Sequence, residues 1–145
     1  MREILFRAKS NYGNVGEWEY GLVAQPHITE GGVVTSYYFT KLCENGYSSQ
    51  RTVSANSIGQ YTGLIDKNGT KIFEGDICSS KGMVYRIIWL DDKYGWFCKV
   101  LKSNSCLIDT TMAFPLYQYD NRPENGYRQL EIIGNIHDNP ELMEE

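Results

Sequence analysis

The chain has 145 residues, enough for one ordinary domain or two very small ones. Hydrophobic residues make up 41%, so a packed core can form, and no apolar run approaches the length of a membrane-spanning helix. A net charge of −4 argues against a general polyanion binder, which needs clustered Lys and Arg to neutralise phosphates.

The hydrophobic pattern is mostly of period two, the signature of half-buried strands. Ile4, Phe6 and Ala8 share one face of a first short strand. Asn11 to Gly16 is a turn-rich loop. Glu17 to Ala24 alternates, with Trp18, Tyr20, Leu22 and Ala24 on one side, and Gln25-Pro26 ends that strand. Glu30-Gly31-Gly32-Val33 reads as a tight hairpin connection, and Val33 to Leu42, rich in β-branched and aromatic residues, as its return strand. Asn45-Gly46 marks another turn. Ser54 to Ser57 reads either as one helical turn capped by Ser54 or as an irregular link.

Two short strands follow, Gln60 to Leu64 and Thr70 to Phe73. Between them lies Asp66-Lys67-Asn68-Gly69, whose Asn-Gly pair tolerates the left-handed backbone of a hairpin turn. Glu74-Gly75-Asp76 makes a second bend into a strand that opens at Ile77-Cys78. Lys81-Gly82 turns the chain into Met83 to Leu90, Asp91 to Gly95 closes a hairpin, and Trp96 to Leu101 returns. Ile108 to Tyr119 is ambiguous, since Phe114-Pro115 cannot lie within an unbroken helix. Asn121 to Gly126 reads as a loop. Gln129 to Ile136 reads as a last strand with Gly134 at a bulge or close-packing point. Asn139-Pro140-Glu141-Leu142 sets an N-cap, a proline at the first helical position and an acid in the first turn.

Close-spaced strands separated by turn residues point to a mainly β fold, a small barrel or sandwich. The expected organisation is a single domain over 1–145. It comprises N-terminal strands and a variable insert over 1–59, a compact barrel core over 60–137, and a short helical turn with a tail over 138–145. The first strand is expected to pair with the last.

Three carboxylates, Asp66, Glu74 and Asp76, crowd this middle stretch. A catalytic pair needs two acids facing one substrate in environments that separate their pKa values. Turns favour the same residue type, because a short carboxylate accepts hydrogen bonds from nearby backbone amides. The turn role is the expected one, and an enzyme built on these acids is the remote alternative. The chain lacks a phosphate-cradling glycine loop, and its only histidines, His27 and His137, are far apart in sequence and away from any cysteine at ligand spacing. No catalytic residue, metal or cofactor is expected. Cys78, Cys98 and Cys106 read as small core hydrophobes. Without paired spacing or a secretion signal, all four cysteines are expected to be reduced thiols in a cytoplasmic protein.

A second constellation is basic and aromatic. Trp89, Tyr94 and Trp96 surround a hairpin that also carries Arg86, Lys93 and Lys99. From Lys81 to Lys102 five basic residues meet two acids, a net of +3, whereas Asp120 to Glu145 carries a net of −5. These six hairpin residues form a candidate interaction surface. Basic and aromatic side chains on one face would hold single-stranded nucleic acid. Separated, they read as core tryptophans and solvated cations.

Four blocks carry a family likeness: Met1 to Ala8, Ile58 to Gly69, Ile72 to Ile77, and Leu130 to Leu142. In this order they resemble the YopX-like family of uncharacterised bacteriophage and prophage proteins. The run Gln60-Tyr61-Thr62-Gly63-Leu64, then Asp66-Lys67-Asn68-Gly69 and Glu74-Gly75-Asp76, is long and compositionally odd, so the match is specific. Asn11 to Val53 lies outside it. The resemblance implies a small, mainly β protein of phage origin with an SH3-like barrel around the Gly75-Asp76 strand. It supplies no catalytic residue. The function expected is a non-enzymatic interaction module. Its partner would be a host or phage protein, self-association is a further option and nucleic acid the lesser alternative, and no membrane is involved.

Overall fold

The computed structural model describes residues 2–42, 44–119 and 129–144, except for the side chain of Leu42. The predicted loop Asn121 to Gly126 and the thiol of Cys43 lie outside these residues. Among the described residues the fold is mainly β: eleven strands in antiparallel sheets, and no helix beyond short 3-10 turns. None of these helices is long and apolar enough to cross a membrane.

The chain forms two compact units, Met1–Tyr61 and Thr62–Glu145. The first holds β1 (Phe6–Lys9), β2 (Trp18–Glu30), β3 (Val33–Leu42) and β4 (Ser48–Ser54), and β5 (Gly59–Ile65) begins there. Its ladder order is β4-β3-β2-β1-β5. Gly31 and Gly32 both take positive φ and make the two-residue connection between β2 and β3. β2 runs past its expected end at Pro26, with three shifts of register against β3 between Val23 and Thr29. A proline without an N–H is tolerated on such an irregular strand.

The apolar side of β2 turns outward: Tyr20 and Leu22 are exposed, while Gly21 is buried and Val23 packs on the core of Ala8, Phe39 and Val53. β4 has no counterpart in the strands read from the sequence: Ser48 to Thr52 is polar, and pairing with β3, not local propensity, makes it a strand. The link after β4 is a 3-10 turn, Ala55–Ser57. Ser54 makes no side-chain cap there. Instead Ser57 Oγ donates to the Ser54 carbonyl and accepts the Lys9 amide, both at 2.8 Å.

The second unit continues β5 and adds β6 (Lys71–Phe73), β7 (Asp76–Ser80), β8 (Met83–Leu90), β9 (Gly95–Lys102), β10 (Ala113–Pro115) and β11 (Glu131–Asn135). Its sheet runs β10-β9-β8-β7-β11. The core is the buried set Ile72, Cys78, Met83, Tyr85, Ile87, Cys98, Val100, Leu116 and Leu130. Each buried aliphatic side chain in such a core contributes about 1.5–3 kcal/mol.

Two expectations need correction. Among the described residues the barrel is not closed: β10 and β11 are the two edges of an open sheet, three-residue β10 pairing with β9 and β11 with β7. The first strand does not pair with the last, because the ladder partners of β1 are β2 and β5.

Candidate functional site

The three carboxylates separate on inspection. Asp66 is 2% exposed, and both its oxygens are occupied by backbone amides. Oδ1 accepts from Asn68 and Thr70 at 2.9 Å each, and Oδ2 accepts from Ile132 at 3.1 Å. The turn itself is closed by the Gly69 amide on the Asp66 carbonyl at 3.0 Å and the Asp66 amide on the Thr70 carbonyl at 2.8 Å. Only Gly69 of the Asn-Gly pair takes positive φ, at +82°. The connection is therefore a turn followed by a left-handed glycine, a longer loop than the two-residue hairpin that the pair suggests.

Asp76 is 1% exposed, and its Oδ2 accepts the Phe73 amide at 2.7 Å across the Gly75 bend. The Gly75 backbone is held on both sides, donating to the Ile87 carbonyl and accepting from the Ile136 amide, each at 2.9 Å. Glu74, between these buried acids, is half-buried.

The C-terminal end of β11 carries a similar local network. Register shifts between Ile132 and Gly134, and a Cβ at Gly134 would meet Asn139 Oδ1 at 2.6 Å. The expected bulge and the expected close approach are both there. Asn139 Oδ1 accepts the Asn135 amide at 3.2 Å, so it reaches back to the strand and makes no forward cap. The 3-10 turn Pro140–Met143 follows, with Pro140 and Glu141 in its first turn.

On the β8–β9 hairpin, register divides the candidate interaction residues between two faces. Trp89 pairs with Trp96, and their rings meet edge to face with centroids 5.1 Å apart. They share the face of Tyr85, Ile87, Cys98 and Val100, and Trp96 packs on that core. Arg86 pairs with Lys99 on the opposite face. There Lys99 Nζ donates to the Thr110 carbonyl at 3.1 Å, and an Arg86 guanidinium N–H points at Met143 sulfur 3.8 Å away. Lys93 and Tyr94 occupy the loop between the strands, and both are exposed.

Tyr94 sits in the left-handed region, at φ +51°, with its side chain 84% exposed. A bulky residue is strained there, and an outward side chain recovers little by burial. Tyr94, Lys93 and Trp96 nevertheless meet at one place, a cavity of about 440 Å³ in the second unit. Thr62 and Leu64 of β5 line it on one side, and Gly95, Trp96 and Phe97 at the start of β9 on another. Pro115, Leu116 and Tyr117, where β10 runs into the 3-10 turn Leu116–Tyr119, complete the wall. Tyr117 is 69% exposed. The volume suits a small ligand or a few residues of peptide, and the lining is largely apolar and aromatic, as in most binding sites.

Sequence reasoning identified Lys93, Tyr94 and Trp96 but missed the other wall. The available signal was the Phe114-Pro115 break, which starts a short turn and puts Tyr117 outside. Cys106 also departs from expectation, since it is exposed, whereas Cys78 and Cys98 are buried. Burial pushes the Cys98 thiol pKa far up.

The sequence matches the family described as YopX protein over residues 5–144, which includes the segment Asn11 to Val53. The chain belongs to the YopX family. No curated protein matches it. Among solved structures it is similar to the "Crystal structure of protein EF1440 from Enterococcus faecalis", at 24% sequence identity, 99% coverage of this chain, 100% of that chain and a TM-score of 0.48. Membership in the YopX family assigns no role to the cavity residues.

Proposed function

We propose that this YopX family protein is a non-enzymatic interaction module, encoded by a phage or prophage and acting in the host cytoplasm, that binds a protein partner through the aromatic cavity at the start of β9. The observation that carries this reading is the cavity itself. It combines an anchored Trp96 floor with two strongly exposed tyrosines, Tyr94 and Tyr117. Exposed aromatics around a preformed concavity are the usual anchors of protein recognition, giving large contact area at small entropic cost.

Two further observations support it. Asp66 and Asp76 are buried and hold backbone amides, so neither presents a carboxylate to a substrate. The Arg86–Lys99 pair lies across the sheet from the Trp89–Trp96 pair. A single-strand platform needs several cations beside its stacking rings, and of Arg86, Lys93 and Lys99 only Lys93 lines the aromatic cavity, so the arrangement favours a protein partner over nucleic acid.

The test is affinity capture from host lysate, with and without nuclease, comparing the parent chain with Tyr94→Asn/Tyr117→Ser. The expected result is one protein retained after nuclease treatment and absent with the double variant. Capture that disappears with nuclease would favour the nucleic-acid reading. Retention of nothing but the chain's own copies would favour self-association.

A further inference from the structure

We propose that the cavity selects an apolar side chain with a carboxylate beside it, presented by an extended acidic segment of the partner protein, and that Lys93 supplies the counter-charge. This rests on the reading of the cavity as the interaction site. Among the described residues that line it, Lys93 is the only charged one. It is exposed, in the loop that also carries Tyr94. The one aliphatic hydroxyl of the wall is already engaged. Thr62 Oγ1 donates to the Ile72 carbonyl at 2.8 Å and accepts the Leu64 amide at 3.3 Å. The interior offers Trp96, Leu64 and Leu116, which reward an apolar group and give a buried charge no partner. An occupant that satisfies both parts puts its apolar group on Trp96 and its negative charge outside, next to the Lys93 ammonium.

The ordering of these residues is fixed by the fold. Trp96 is held edge to face by Trp89 and packs on the core, so the floor exists before binding. The backbone of Lys93 is tied by its amide to the Leu90 carbonyl at 3.2 Å. Tyr94, next to it in the chain and held left-handed, also lines the cavity, so an occupant that reaches both Lys93 and Trp96 has its ring as a further apolar surface.

The probes are two blocked dipeptides, acetyl-Phe-Glu-amide and acetyl-Phe-Gln-amide, which share an apolar body and differ in charge. Each is titrated into ¹⁵N-labelled protein while the Trp96 indole N–H signal is followed, assigned by its loss in Trp96→Phe. The Glu peptide should shift that signal and bind up to about fivefold tighter than the Gln peptide, the range of an exposed ion pair. Lys93→Gln should reduce the Glu peptide to the level of the Gln peptide and leave the latter unchanged. Equal affinity for both peptides in the parent chain would overturn the selection for a carboxylate while leaving the cavity as a binding site. A Trp96 signal unmoved by either peptide would overturn the proposal, and the capture experiment would then decide separately whether a protein partner uses this site.

Discussion

The Asp66 carboxylate accepts the backbone amide of Ile132, 66 residues further along the chain, at 3.1 Å. The same turn is tied a second time, by the Lys67 amide on the Leu130 carbonyl at 2.8 Å. An acid that looks like a candidate catalyst in the sequence is thus the joint between the β5–β6 turn and β11.

That role gives a graded expectation. Asp66→Ala removes the acceptor for three amides and should cost roughly 3 kcal/mol, since each part-buried donor left unpaired costs about 1–3 kcal/mol. Asp66→Asn can keep the oxygen that faces Asn68 and Thr70 but turns an NH₂ toward the Ile132 amide, so a loss of about 1–2 kcal/mol is expected. Urea unfolding of both variants measures this order, and equal midpoints for Ala and the parent would refute it.

Gly134 lies against the C-terminal turn. A methyl group there would approach Asn139 Oδ1 to 2.6 Å and Leu142 Cδ1 to 2.9 Å. Gly134→Ala should therefore destabilise the second unit by about 1–3 kcal/mol through overpacking. Restoring room with Asn139→Gly in the same chain should recover part of the loss, and thermal unfolding of the single and double variants would show it.

Tyr94 makes the opposite prediction. Its backbone is strained and its side chain is outside the core, so Tyr94→Asn, a residue that tolerates the left-handed region, should leave the unfolding midpoint unchanged or raise stability by roughly 0.5 kcal/mol. A clear drop would mean that the ring supports the fold and is not held out for a partner.

Much of this fold was legible because local chemistry and tertiary structure agree. The apolar run Met83 to Leu90, the turn at Lys81-Gly82 and the bulge at Gly134 each follow from residue type and spacing. β4 was hidden because its polar residues owe their strand state to β3. Closure of the barrel could not be read either, since strand count and period do not specify which edges meet. For the candidate site, the sequence placed Lys93, Tyr94 and Trp96 on one hairpin, but it could not bring in Tyr117 or Leu64, which come from distant segments. Nor could residue type alone reveal that register puts Arg86 and Lys99 on the face away from Trp89 and Trp96.

The thiols should react according to burial. Attack on iodoacetamide requires the thiolate, and burial disfavours it at Cys98. In the native protein Cys106 should be alkylated readily, while Cys78 and Cys98 should be modified only on unfolding. Peptide mapping after timed alkylation distinguishes them, and early modification of Cys98 would contradict the packing around Val100 and Ile87.

The most direct measurement is calorimetric titration of the purified captured partner into the parent chain and into Tyr94→Asn/Tyr117→Ser. Both side chains are largely exposed, so the double variant should fold as the parent does. Loss of two aromatic anchors should weaken binding at least about tenfold, equivalent to about 1.4 kcal/mol. Unchanged affinity in a correctly folded double variant would contradict the assignment of the cavity as the interaction site.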